Sequence, residues 1–137
     1  MPFLAGSPQL HHDFDADRVA ALLGRLCAGH ALVLDLGAGA DALDGAVLSL
    51  LTRLCVVTGP RAAQLQAVFC ARSLLGALPC ASGVVVVGVE RPDAELIASR
   101  ARLSLLGAIP ADPYLARDDF AARAPTMRAI DALIRAL

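Results

Sequence analysis

The sequence contains no lysine: its basic residues, 12 in a chain of 137, are all arginine. Every role that needs a lysine ammonium is closed to it, the phosphate-gripping lysine of a nucleotide loop above all. No apolar stretch reaches the ~20 residues needed to span a bilayer, and the valine run Val84–Val87 is closed by Gly83 and Gly88. The start, Met1-Pro2-Phe3, lacks the basic segment and long apolar core of a signal peptide, so a cytoplasmic location is expected. No CxxC pair occurs. Cys27, Cys55, Cys70 and Cys80 are scattered, which argues against structural zinc and for buried free thiols at Cys27, Cys55 and Cys70. The formal net charge is −1, so charge points to neither nucleic acid nor an anionic membrane as partner.

What is present is apolar side chain. The hydrophobic share is 57%, which excludes disorder. The length suits one domain over residues 1–137, with no linker or internal repeat. After the turn signal Gly6-Ser7-Pro8, the spacing of Val19, Leu22, Leu23 and Leu26 predicts a helix ending near Gly29. Residues 31–36 read as a buried strand, followed by a turn at Gly37–Ala40. Leu43, Val47, Leu50 and Leu54 predict a helix over 42–53, and Leu54–Thr58 the next strand. Gly59-Pro60 opens a long helix, with Leu65, Val68 and Phe69 as its buried stripe. Gly83–Val89 is the most strand-like segment, and Pro92, Asp93 and Glu95 suit a helix start. Leu103–Ile109 is a last strand, and Met127, Ile130, Ile134 and Leu137 share one face of a closing helix that packs on the sheet. The alternation implies an α/β protein, three layers with a mostly parallel sheet. Ligands in such sheets lie beyond the C-terminal strand ends, here Asp35–Asp41, Thr58–Pro60, Val89–Pro92 and Pro110–Tyr114.

Four motifs stand at those ends in order: Asp35-Leu-Gly-Ala-Gly39, Val57-Thr58-Gly-Pro60, Val87-Gly88-Val89-Glu90-Arg91 and Gly107-Ala-Ile109-Pro110-Ala-Asp112. Their order resembles the C-terminal portion of the MinD/ParA family of ATPases, the CpaE-like proteins of pilus assembly and septum placement included, and Phe3–Ser7 resembles the edge strand before it. The resemblance implies a partial P-loop NTPase fold whose N-terminal phosphate-loop part is absent. It also implies ATP and magnesium as cofactors, Asp35 as the acid ordering the magnesium shell, and Gly39 as the glycine that follows the γ-phosphate. Arg91, Pro110 and Asp112 then fall where the family holds adenine and ribose. Three departures bear on this. The lysine-bearing loop is missing, the proline after the family's aspartate is Gly37, and Gly88, Val89 or Glu90 replaces the adenine-recognising asparagine. Hydrolysis by the chain alone is therefore not expected, no catalytic residue is assigned, and nucleotide is expected to bind weakly at best. Asp35 also admits a plainer reading, an acid capping a turn after a strand.

Two further readings differ in class. Val33–Gly39 matches the first motif of S-adenosylmethionine-dependent methyltransferases, but Asp41 stands at its third glycine and Thr58 where a ribose-binding acid is needed. A non-enzymatic partner docking on another ATPase chain, or a homodimer, is the other. A receiver domain fails for want of its lysine and acidic pair. His11-His12-Asp13 reads as a solvated loop, His30 as structural, and the mixed charge of Arg128, Asp131 and Arg135 does not suit a membrane-surface helix.

Overall fold

The computed structural model describes residues 16–29, 32–35, 45–75, 77–78, 80–113 and 124–136. The chain divides into two units, Met1–Leu50 and Leu51–Leu137. In the first, the expected helix forms as α1, Ala16–Cys27, with Asp17 in its first turn and Arg25 in its last, each complementing the helix dipole. It packs on α2, Gly45–Leu48, through which Leu48 is buried. That single turn is all the described residues hold of the helix expected over 42–53. Leu54 belongs to the strand expected over Leu54–Thr58, where the β-branched run favours extended backbone. Residues 32–35 carry no strand, and Val33 is 86% exposed. A strand apolar on both faces holds only where ladders and cover satisfy it. The readings on Phe3–Ser7, His11-His12-Asp13, His30, Gly37–Ala40, Tyr114 and Leu137 lie outside the described residues.

The second unit holds a parallel sheet of β1 (Arg53–Thr58), β2 (Ala81–Val87) and β3 (Ser104–Ile109), in the order β1-β2-β3. Parallel neighbours need crossovers, and α3 (Ala62–Leu75) and α4 (Arg91–Ala101) supply them. Pro92 stands in the first turn of α4, and Arg102 caps its end in the left-handed region at φ 56°. Val84 and Val86 pack against Ala94 and Ala98 of α4, and α3 lies beside α4. Val85 projects to the other face, where its register partner Gly107 is covered by Leu133 of α5, Ala124–Ala136. Helices therefore cover both faces, and the α/β, three-layer expectation holds. A register shift between Val84 and Val85 lets Leu106 lie over Gly83, where a Cβ would come within 2.5 Å of its Cγ.

Burial departs from expectation in three places. Cys27 and Cys70 are exposed and Cys55 is only half-buried. On α3, Val68 is buried but Phe69 is 41% exposed. On α5, Thr126 and Leu133 meet the rest of the unit while Met127 and Ile134 face out, so the packed face is rotated from the one read by spacing.

Candidate functional site

The C-terminal ends of the three strands meet in one cleft, built by the turns that leave them. At the end of β1, Thr58 is buried and its hydroxyl donates to the Gln64 carbonyl at 3.4 Å. The Gln64 side chain turns back so that its Oε1 accepts the Arg61 N–H at 3.3 Å, while Leu65 N–H donates to the Arg61 carbonyl. This is the return half of a capping box, with a glutamine at the third helical position reaching back to the N-cap amide. It requires glycine at 59, where a Cβ would meet Gln64 Oε1 at 2.6 Å. The outcome is a fixed turn with Pro60 and Arg61 at its crest.

At the end of β2, Gly88 donates its N–H to the Ile109 carbonyl at 2.7 Å and then turns at φ +86°. That conformation suits glycine and ends the valine run, leaving two residues, Val89 and Glu90, before α4 begins. After β3, Pro110, Ala111 and Asp112 run along the opposite wall. Asp112 Oδ2 accepts the Thr126 hydroxyl at 2.8 Å, and Thr126 is 1% exposed, so the loop is tied to α5.

Two hollows result. One, about 470 Å³, is lined by Val57, Thr58, Gly59, Pro60, Arg61, Gln64 and Val87. The other, about 530 Å³, is lined by Pro60, Arg61, Val87, Gly88, Pro110, Ala111 and Asp112. They share Pro60, Arg61 and Val87, so they form one groove across the strand ends, within the size range of small-molecule sites.

Of the residues singled out by sequence, Pro110 and Asp112 stand together in this groove. Arg91 does not line it; its Nε donates to Glu95 Oε1 at 2.9 Å on the exposed surface of α4. Asp35 is exposed in the first unit, and Gly39 lies outside the described residues. Sequence reasoning missed Arg61 and Gln64, and named Gly88 only as a stand-in for an asparagine. The available signal for Arg61 was its setting, a cation after a strand-ending Gly-Pro with no acid within four positions on either side.

The chain superimposes on a ParA family ATPase from Chlorobium tepidum TLS with a TM-score of 0.73, at 17% sequence identity, over 95% of its own length. The fold is ParA-like. It spans 60% of that ATPase chain. No protein-family model matches the sequence, and no curated protein matches it. Among the described residues no helix of this ParA-like chain is long and apolar enough to cross a membrane.

Proposed function

We propose that the chain is a ParA-like nucleotide-binding domain that carries the nucleoside side of a site and does not hydrolyse ATP by itself. The observation that carries this reading is the groove across the three strand ends, with Pro110 and Asp112 on the wall that the motif order places beside a nucleoside. The cofactors that the motif resemblance implies are ATP and magnesium, and the residues fit them unequally. The apolar walls Pro60, Val87 and Pro110 fit a ring, and Asp112 fits a donor hydroxyl or amine. A magnesium triphosphate fits poorly: the chain has no lysine, and the groove's carboxylate is already held by Thr126. No hydrolytic step is derived for this chain.

At finer grain, the order of the four motifs supports a MinD- or CpaE-like protein of septum placement or pilus assembly, acting in the cytoplasm. Another ATPase chain then supplies the cationic phosphate loop that this chain lacks. The test is a paired assay on the purified chain, ATP binding by calorimetry and phosphate release with magnesium. Weak binding without release is expected. Magnesium-dependent release that disappears in Asp35→Ala would overturn the reading.

A further inference from the structure

The groove has a cation at one end and an anion at the other, and only the anion is engaged. Asp112 takes the Thr126 hydroxyl. Arg61 lines both hollows and is exposed, and among the described residues no hydrogen bond or ion pair engages its guanidinium. Arg91, by contrast, is paired with Glu95. A free guanidinium beside a cleft presents several fixed donors to an anion's oxygens, and such charge-assisted bonds are among the stronger ones. The Gln64 cap fixes the backbone that carries it. Behind it begins α3, 14 residues long with no acidic residue in its first turn, so the positive end of the helix dipole is uncompensated at the same place.

We propose that Arg61 is the anion-contact residue of the groove, and that the ligand is a nucleotide whose phosphate meets Arg61 while its ribose or base donors meet Asp112. The inference rests on the nucleotide-binding reading above and adds to it the ligand's polarity and the group that sets it. Asp112 repels a phosphate from its own end and accepts from hydroxyls or an amine. Pro60 and Val87, shared by both hollows, face the uncharged middle. In a chain without lysine, an arginine at this place gives the groove its own positive charge.

The experiment is calorimetry on the full chain with AMP, adenosine and inorganic phosphate, comparing wild type with Arg61→Gln, Arg61→Glu and Arg100→Gln. A charge-assisted contact corresponds to about a tenfold or greater preference for AMP over adenosine. The expected result is that preference in wild type and in Arg100→Gln, its loss in Arg61→Gln, and reversal in Arg61→Glu. Adenosine affinity stays unchanged throughout, which reports that the variants remain folded. Inorganic phosphate is expected to compete with AMP in wild type but not in Arg61→Gln. An AMP-to-adenosine ratio unaltered by Arg61→Gln overturns this inference and leaves the nucleotide reading standing. Absence of binding by both AMP and adenosine overturns the two together.

Discussion

Among the described residues of the second unit, Thr126 is the most deeply buried polar side chain, and its hydroxyl donates to Asp112. Replacing it by valine keeps the volume but removes the donor, leaving a partly buried carboxylate short of one bond. Chemical denaturation of Thr126→Val is expected to show a loss of about 1–3 kcal/mol; a loss below the noise would mean that the bond does not hold α5. Gly83 makes a sharper case, because its missing Cβ is what admits Leu106. Gly83→Ala is expected to cost about 1–3 kcal/mol by overpacking. In the double variant with Leu106→Ala the two costs should fall short of additivity, since removing Leu106 clears the clash. Cys55 carries the resolved titration effect: burial disfavours its thiolate and lifts its pKa above the ordinary 9.0. The folded chain thus holds this proton more tightly than the unfolded one. Its contribution to stability is complete below pH 9.0 and is lost as pH rises through the folded value. Timed alkylation should accordingly label the exposed Cys27 and Cys70 before Cys55, and equal rates would contradict the burial.

At the scale of elements, the second unit was largely legible. A valine run between glycines reads as a covered parallel strand because every position must be apolar, and Val84, Val85 and Val86 are all at 0–1% exposure. Proline and acid placement found α4 for the same local reason. The misses have a different origin. Residues 32–35 and β1 look alike in composition, yet of the two only β1 has a ladder, with β2, and pairing partners are not written in a strand's own sequence. The rotated face of α5 was set by Gly107, which leaves room for Leu133, and not by the helix's own stripe. The site was half legible: Pro110 and Asp112 came from motif order, whereas Arg61 depends on a turn shaped by Gln64 from within the helix. One consequence concerns β1, which ends the described sheet with Val57 at 66% exposure. A charge there discourages strand-to-strand association. Val57→Arg is expected to lower self-association in sedimentation at high concentration, with stability within about 0.5 kcal/mol of wild type; a large loss of stability would show that Val57 is covered.

The molecule as a whole combines a ParA-like fold, a groove at the strand ends, and a complete lack of lysine. The methyltransferase alternative finds no acid at the end of β1, where Thr58 instead donates to the Gln64 carbonyl. A thermal-shift titration with S-adenosylmethionine is therefore expected to leave the melting temperature in place, and a saturable rise would restore that alternative. The central claim is that the strand-end groove binds the nucleoside end of a nucleotide. Backbone amide NMR on the isotopically labelled chain, titrated with AMP, tests it most directly. The account predicts saturable shifts of the Arg61, Gly88, Ala111 and Asp112 amides; saturating AMP that leaves these four signals in place would contradict it.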